Sequence, residues 1–234
     1  MLILALESSA KAVSAALLRD REIVGEYFIN TKQTHSETLM PMIESLLEIA
    51  NETLKNVDVF AVSAGPGSFT GIRIGIATVK GMAFANKKPC CGISTLEAIA
   101  WGACAMEGSY ICAVMDARCE QVYHALFHIE NGKPVRMCAD KPITVAALGE
   151  ACVVYGDRLV LAGDGAAICY EKFKAFGARL CAENIRLQRA ASVGLAAAEA
   201  VEKGELVSGE SLVPVYLRLS QAERERNKKL EVMK

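Results

Sequence analysis

Two acidic residues in this sequence stand where metal-dependent chemistry could begin. Glu7 follows the apolar run Leu2–Leu6, and Asp116 follows a second apolar run, Tyr110–Met115. If the two runs are strands of related lobes, both carboxylates face one cleft. They could then position Mg²⁺ and an attacking water, while neighbouring turns wrap a phosphate with backbone N–H groups. One interpretation is therefore a stand-alone ATP-binding phosphotransferase or ATPase that uses Glu7 and Asp116.

The turns that follow these strands favour a different interpretation. Asp116-Ala117-Arg118 contains no glycine that would let the backbone approach a phosphate, and no hydroxyl residue follows Asp116 nearby. Glu7 carries one more methylene than aspartate, which moves its carboxylate outward by more than about one ångström. The sequence therefore predicts a vestigial nucleotide cleft, formed by Glu7, Ser8, Asp116, Arg118, Gly163 and Gly165.

A glycine-rich segment, Gly65-Pro66-Gly67-Ser68-Phe69-Thr70-Gly71, follows the apolar run Val57–Ala64. It is superficially similar to a phosphate-binding loop, but it lacks the Gly-x-x-x-x-Gly-Lys-Ser/Thr pattern. Its glycines permit positive φ values, and Ser68 or Thr70 can cap the helix that follows. The segment is therefore predicted to be a tight turn between a strand and a helix.

The three histidines and nine cysteines form no recognisable catalytic or metal-binding pattern. No Gly-x-Ser-x-Gly motif is present, and His124 and His128 lie on an expected strand without a third metal ligand. No Cys-x-x-Cys pair occurs, and most cysteines stand in apolar surroundings typical of reduced, structural thiols. We expect no catalytic residues, no resident metal and no intrinsic cofactor.

Two halves of the sequence repeat one order of elements. Each half reads as strand, acidic loop, hairpin, helix, strand and Gly-x-Gly, so the topology is duplicated although the residues are not. This order predicts an α/β protein of two similar lobes around a cleft, with residues 1–105 in the first lobe and 106–220 in the smaller second lobe. Residues 221–234 form a charged end, expected to be a solvated helix or a frayed tail.

Two helices of the first lobe carry more apolar residues than one buried face requires. The first begins at the capping-box pattern of Thr34–Glu37, and its apolar positions cover more than one stripe. The residues that point away from its main apolar row are Met42, Leu46 and Ile49. In the second helix Gly71 and Gly75 lie four apart on one side, which favours close helix-on-helix contact. A second layer of this chain or a partner protein would cover the excess surface.

The composition disfavours several classes of function. The chain has 234 residues, of which 52% are hydrophobic and 23% charged, and its formal net charge is −1. Stand-alone binding of RNA or another polyanion is disfavoured by this balance. The start lacks the basic region of a secretion signal, and no apolar run reaches the roughly 18 residues that a membrane span needs. We expect a cytoplasmic protein without membrane association.

Four parts of the sequence carry a resemblance to a known family. They are the glycine-rich segment extended to Gly75, His35-Ser36-Glu37 with Leu39-Met40-Pro41, Asp116-Ala117-Arg118 with Glu120 and Tyr123, and Pro214-Val215-Tyr216-Leu217-Arg218. These segments closely resemble the TsaB (YeaZ) family, and the resemblance spans nearly the whole chain. It implies an ASKHA fold, the actin and Hsp70-like class, of two ribonuclease-H-like lobes with mixed sheets flanked by helices.

The resemblance also implies a function. The family is bacterial and acts in forming threonylcarbamoyladenosine at position 37 of tRNAs that read codons starting with A. Its chains are the non-catalytic partners of TsaD, which carries a metal and transfers the threonylcarbamoyl group, and the ATPase TsaE joins that pair. ATP with Mg²⁺ would therefore enter through TsaE, the metal through TsaD, and tRNA would be contacted only indirectly. A protease activity is not supported by these residues.

The segments through which the family pairs with TsaD, or with itself when TsaD is absent, match the two apolar helices. The implied interface residues are His35, Leu39, Met42, Ile43, Leu46, Gly71, Ile72, Gly75, Ile76 and Val79. The sequence departs from the family pattern at Glu7, where family members and active ASKHA enzymes generally carry aspartate. This departure further disfavours independent ATPase activity.

Overall fold

The first lobe of the protein is built on a five-stranded sheet ordered β3-β2-β1-β4-β5. The structure is a computed structural model that describes residues 1–31, 33–104 and 107–218. The strands of the first sheet are β1 (Leu2–Glu7), β2 (Val13–Arg19), β3 (Glu22–Ile29), β4 (Val59–Gly65) and β5 (Cys90–Ser94). The first three form an antiparallel meander, whereas β4 runs parallel to β1 and β5 runs parallel to β4. The carboxyl ends of β1 and β4 therefore lie at one edge of the sheet.

The second lobe repeats this topology. Its strands are β6 (Tyr110–Asp116), β7 (Gln121–Glu130), β8 (Lys133–Arg136), β9 (Lys141–Thr144), β10 (Leu159–Ala162) and β11 (Arg179–Leu180). The sheet order β8-β7-β6-β10-β11 matches β3-β2-β1-β4-β5, and β9 pairs with β7 as an addition. The duplicated topology predicted from the order of elements is confirmed.

Helices and sheets alternate in layers. The helices are α1 (His35–Ile49), α2 (Phe69–Asn86), α3 (Thr95–Ala103), α4 (Val145–Cys152), α5 (Ala166–Phe173), α6 (Glu183–Arg186) and α7 (Ala190–Glu202). Successive residues of β1 enter different cores, so that Leu4 packs with α1 and α2 while Ile3 packs with α7. Helix α3 contributes to cores on both sheets, and α4 and α5 cover the outer face of the second sheet.

The chain returns to the first lobe after completing the second. Helix α7 packs on β1, β2 and β5, although it falls within the range 106–220 that the sequence assigns to the second lobe. The chain then forms a backbone bridge between Val207 and Cys90 at the edge of the first sheet. The predicted division between residues 105 and 106 and the charged end at residues 221–234 lie outside the described residues.

Side-chain capping explains where α2 and α3 begin. The Ser68 hydroxyl accepts a hydrogen bond from the Gly71 backbone N–H at 3.3 Å, so Ser68 rather than Thr70 caps α2. The Ser94 hydroxyl likewise accepts from the backbone N–H of Glu97 at 3.2 Å. At α1 the predicted capping box differs, because the Thr34 hydroxyl donates to the Glu37 carboxylate at 2.6 Å and caps no backbone N–H.

Within the described ranges, no helix combines the length and the apolar character that crossing a bilayer requires.

Candidate functional site

A cleft of about 450 Å³ lies between the lobes, at the edge where the carboxyl ends of β1, β4, β6 and β10 meet. The first lobe contributes residues 9–11 and 67–69, and the second contributes residues 115–118, Tyr123 and Asp164. Open α/β sheets bind ligands outside the carboxyl ends of their strands, so this is where a nucleotide site would be expected. Of the residues predicted for that site, Asp116 and Arg118 line the cleft.

Glu7 lies behind the cleft instead of facing into it. The residue is 0% exposed at the end of β1. One carboxylate oxygen accepts a hydrogen bond from the backbone N–H of Ser9 at 2.6 Å, and the other accepts one from the Ser63 hydroxyl. Burial raises the pKa of Glu7, although both hydrogen bonds oppose that shift. The carboxylate therefore ties the turn after β1 to strand β4.

Asp164 is the acidic residue of this site that the sequence prediction missed. Its carboxylate accepts hydrogen bonds from the Gln188 side-chain amide at 2.9 Å and from the backbone N–H of Asp116. Burial raises the pKa of Asp164, and the nearby charge of Asp116 acts in the same direction. The available signal was its place in the Gly163-Asp164-Gly165 turn, two residues after the end of β10. This turn lies at the same edge of the sheets as Glu7 and Asp116, the last residues of β1 and β6.

The glycines of the first lobe make room for the protein's own loop. A Cβ atom at Gly71 would overlap with the carbonyl oxygen of Ser8, and one at Gly75 would overlap with the Ser8 hydroxyl. A Cβ atom at Gly67 would overlap with the carbonyl oxygen of Ser9, which also accepts a hydrogen bond from the Ser68 N–H at 2.7 Å. The predicted helix-on-helix contact is therefore not what closes on these glycines, because the loop after β1 occupies that space. Helix α1 approaches only at Gly71, where the His35 ring lies 3.4 Å from the Cβ position.

The glycines of the second lobe likewise leave no room for a side chain, because backbone of this chain packs against them. Gly163 has φ +104°, and a Cβ atom there would overlap with the carbonyl oxygen of Val114. A Cβ atom at Gly165 would lie 2.9 Å from the carbonyl carbon of Met115 and 3.0 Å from the nitrogen of Asp116. The Gly-x-Gly turn therefore packs tightly on the end of β6.

These residues do not fit a nucleotide phosphate with Mg²⁺. Such a group needs free backbone N–H groups at the turns and carboxylate oxygens that point into the cleft. The glycine turns instead pack on backbone of this chain, and both Glu7 oxygens are engaged internally. In the part of the chain that the structure describes, no three His, Cys, Asp or Glu side chains are grouped so that they could hold a metal ion.

A C-terminal strap, residues 213–218, joins the two lobes beside the cleft. The backbone N–H of Val215 donates to the carbonyl of Ala64 at the end of β4, at 2.8 Å. Three residues later, the Arg218 guanidinium donates to the carbonyl of Ala117 in the second lobe, also at 2.8 Å. The conspicuous Pro-Val-Tyr-Leu-Arg segment of the sequence is therefore a physical link between the lobes.

The apolar residues predicted for a partner interface are buried inside the first lobe. Their exposures are Leu39 1%, Met42 5%, Ile43 1%, Leu46 5%, Ile72 0%, Ile76 5% and Val79 0%. They form one core with the first sheet because α1 packs against β2, β3 and α2 together. This packing buries Met42 and Leu46 of the second apolar stripe but leaves Ile49 72% exposed. His35 is half-buried, with its ring Nε2 2.8 Å from the Ala10 carbonyl oxygen. A second layer of this chain, one of the two alternatives left open by the sequence, therefore covers most of this surface.

Comparison with known proteins assigns the family. A family model described as TsaD, tRNA N6-adenosine threonylcarbamoyltransferase, matches residues 22–225. The tRNA threonylcarbamoyladenosine biosynthesis protein TsaB of Escherichia coli is 30% identical over 220 residues, which cover 93% of this chain and 95% of that protein. The chain belongs to the TsaB (YeaZ) family. The TsaB of Bacillus subtilis agrees, with 29% identity over 229 residues that cover 95% of this chain and 96% of that protein.

Solved structures agree with the TsaB assignment. YeaZ from Pseudomonas aeruginosa superposes with a TM-score of 0.77 at 30% identity and covers 92% of this chain and 99% of that chain. Component A of the (R)-2-hydroxyglutaryl-CoA dehydratase of Acidaminococcus fermentans gives a TM-score of 0.52 at 13% identity, covering 88% of this chain and 99% of that chain. The second similarity concerns the fold alone. The ASKHA fold expected from the sequence is confirmed.

The outer sides of α1 and α2 form an exposed surface of this TsaB-family chain, which we call the helix face. Its residues are Glu37, Met40, Glu44, Glu48 and Ile49 on α1, with Arg73 and Ala77 on α2. Helix α1 contains three glutamates and no lysine or arginine, whereas α2 contains one arginine, one lysine and no acidic residue. On the helix face, three glutamates of α1 therefore lie beside one cation of α2, the guanidinium of Arg73.

Two histidines of this TsaB-family chain lie on β7, away from the cleft lining. The imidazole of His124 is buried, and neither ring nitrogen has a hydrogen-bond partner within the described residues. Burial lowers the pKa of His124 to about 4, with the charge of Lys141 acting in the same direction. His128 lies 2.7 Å from Glu130, ring nitrogen to carboxylate oxygen, and stacks on Tyr110.

Proposed function

We propose that this chain is a non-catalytic dimerisation and scaffold subunit in the formation of N6-threonylcarbamoyladenosine at position 37 of tRNAs that read codons starting with A. The process is that of the TsaB family, to which the chain belongs. In the proposal the chain works in the cytoplasm, pairs with TsaD and joins TsaE through that pair. It forms a homodimer when alone and contacts tRNA only through its partners. TsaE supplies ATP with Mg²⁺, and TsaD supplies the metal.

The opposite charges of α1 and α2 carry this proposal. A twofold axis across the helix face places the acidic α1 of each subunit against the basic α2 of the other subunit. The interface is therefore self-complementary in charge. TsaD can take the place of the second copy because the TsaD family model matches this chain over residues 22–225, which indicates a related lobe. Met40, at 39% exposure, and Ile49, at 72%, supply apolar surface between the charges.

The apolar residues that the sequence predicted for the interface have a supporting role in this proposal. Leu39, Met42, Ile43 and their apolar neighbours hold α1 and α2 on the sheet, while the exposed residues of the helix face meet the partner. Gly71 and Gly75 fix the start of α2 against Ser8. A bulky residue at Gly75 would therefore disrupt the fold and could not report on pairing alone.

Charge reversal on the helix face tests the proposal. The chain carrying E44K and E48K is co-expressed with TsaD from the same source, and copurification is compared with the unmodified chain. The matched control carries E150K and E183K, which make the same change in net charge at exposed sites of α4 and α6 in the second lobe. We expect the amount of TsaD that copurifies with the first variant to be at least about tenfold lower than with the control. Equal copurification by both variants, with unchanged circular dichroism, would overturn the proposed interface.

Nucleotide titration tests the non-catalytic role. Calorimetry of the purified chain with Mg-ATP is expected to show no micromolar binding, because the glycine turns are closed by the chain's own backbone. Micromolar binding that disappears in D116A, together with ATP hydrolysis by the chain alone, would support the stand-alone ATPase or phosphotransferase instead.

A further inference from the structure

A groove of about 1100 Å³ lies between the last turns of α2 and the chain segment at residues 206–210. Its floor includes Ala83, and its open wall carries Phe84, whose 80% exposure is the highest among the large apolar residues of the described chain. Gly81 adds no side chain there, and no other atom lies within 4 Å of the position where its Cβ would be. The groove therefore presents a bare apolar surface beside an exposed aromatic ring.

The far wall of this groove is fixed by the fold. Val207 and Cys90 exchange two backbone hydrogen bonds, of 2.8 and 2.9 Å. The Lys80 ammonium donates to the carbonyls of Glu210 and Leu212 at 3.3 and 3.0 Å, which anchors the segment to α2. A groove whose walls are already ordered loses little conformational entropy when it binds a partner.

The rim of the groove carries positive charge. Lys87 and Lys88 line it, and neither forms an ion pair with any residue that the structure describes. Glu210 is the acidic residue on the opposite wall. Three lysines including Lys80 therefore face one glutamate, and carboxylates of a ligand would be favoured at the α2 side of the groove.

We propose that this groove docks a segment of a partner protein that carries large apolar side chains flanked by carboxylates. The apolar side chains pack on Phe84 and Ala83, and the carboxylates pair with Lys87 and Lys88. The site is separate from the helix face, because Phe84 lies eleven residues beyond Arg73, or about 16 Å along the axis of α2. A related subunit can therefore occupy the helix face while a second partner uses the groove.

Charge and shape exclude two other occupants. The chain's own end, residues 223–234, contains five lysines or arginines and three glutamates, so it is basic like the groove rim. An anionic membrane would also be attracted by the lysines, but a flat bilayer surface cannot fill a concave groove. A carboxylate-bearing protein segment is the occupant that satisfies both features.

Peptide binding to the full chain tests this inference. The probes are fluorescein-labelled 16-residue peptides that combine leucine with glutamate, one with helical spacing and one with alternating spacing. Matched peptides carry lysine in place of glutamate or serine in place of leucine. We expect at least one leucine–glutamate peptide to bind, and both kinds of matched peptide to bind at least about tenfold more weakly. Binding should also weaken as salt rises.

Variants locate the binding site. F84S and K87E/K88E should each weaken binding of that peptide at least about tenfold. The controls are I49S, which removes an apolar side chain of 72% exposure on α1, and K55E/K172E, which reverses two exposed lysines elsewhere. The inference would be overturned if neither leucine–glutamate peptide bound, or if the lysine peptides bound as tightly as the glutamate peptides. It would also be overturned if the control variants weakened binding as much as F84S and K87E/K88E. Phe84-dependent sedimentation with phosphatidylglycerol vesicles, without peptide binding, would overturn it in favour of a membrane contact.

Discussion

Ser8 and Gly71 lie so close together that no side chain can fit between them. The Ser8 hydroxyl donates to the Gly71 carbonyl at 2.9 Å, and the Ser8 carbonyl oxygen occupies the position that a Cβ atom at residue 71 would need. This contact joins the turn after β1 to the first turn of α2. The glycine at position 71 of the glycine-rich segment therefore serves close packing within this chain.

Three glycine substitutions in α2 should separate close packing from helix propensity. G71A and G75A force an atom against Ser8, so each should lower the free energy of unfolding by about 1–3 kcal/mol. G81A fills open space on an exposed turn and should raise it by about 0.5–1 kcal/mol. Urea unfolding measures all three. If G71A were as stable as G81A, the close contact with Ser8 would be refuted.

Removal of the Tyr216 ring should loosen the C-terminal strap. The ring stacks on Phe69 with centroids 4.4 Å apart, and its hydroxyl accepts a hydrogen bond from the Arg73 guanidinium at 2.8 Å. In Y216A we expect faster hydrogen exchange at residues 213–218 and in the 116–118 loop that Arg218 contacts. V213A, which alters a residue of 61% exposure in the same strap, is the control and should exchange like the unmodified chain.

His124 should make the protein less stable in mild acid. Burial lowers the pKa of His124 to about 4 in the folded chain, whereas its unfolded-state pKa is near 6.5. Between these two pH values the unfolded chain binds a proton at this residue and the folded chain does not. The free energy of unfolding therefore falls as the pH drops from about 6.5 to about 4. In H124L this contribution is absent, and the variant should gain stability relative to the unmodified chain over that range. Parallel stability curves for the two proteins would contradict this account.

Glu199 should stabilise the fold in the opposite pH direction. It accepts hydrogen bonds from Lys133 of the second sheet and Arg21 of the first lobe, at 2.7 and 2.9 Å. The Lys133 bond is the main reason that the pKa of Glu199 is lowered to about 2. Its stabilisation is therefore complete above the unfolded-state pKa near 4.5 and is lost as the pH falls towards 2.

The E199Q variant tests this ion pair between the lobes. It should be less stable than the unmodified chain at neutral pH, and the difference should shrink between pH 4.5 and 2. Added salt should reduce the difference at neutral pH because the charges are partly exposed. Glu202, which also contacts Arg21 but is far more exposed, provides the control, and E202Q should have the smaller effect.

Much of the fold could be predicted from the sequence because it depends on neighbouring residues. The apolar runs of β1, β4, β6 and β10 and the repeated order of elements predicted the two lobes correctly. The sequence also indicated that Ser68 could begin a helix. The four family-like segments are enough to identify the TsaB resemblance from residue types alone. Each of these signals is local, since capping and strand or helix periodicity act within a few residues.

The functional surfaces were decided by contacts between distant parts of the chain. Ser8 and Gly71 are 63 residues apart, and Arg218 and Ala117 are 101 apart, so no local pattern could reveal either contact. Helical periodicity identified Met42 and Leu46 as apolar positions, but only packing showed that this chain covers them. The sequence by itself determined the elements, their order and the family. The tertiary structure decided which side chains those elements enclose and which they leave on the helix face and in the groove, because burial depends on how layers meet in space.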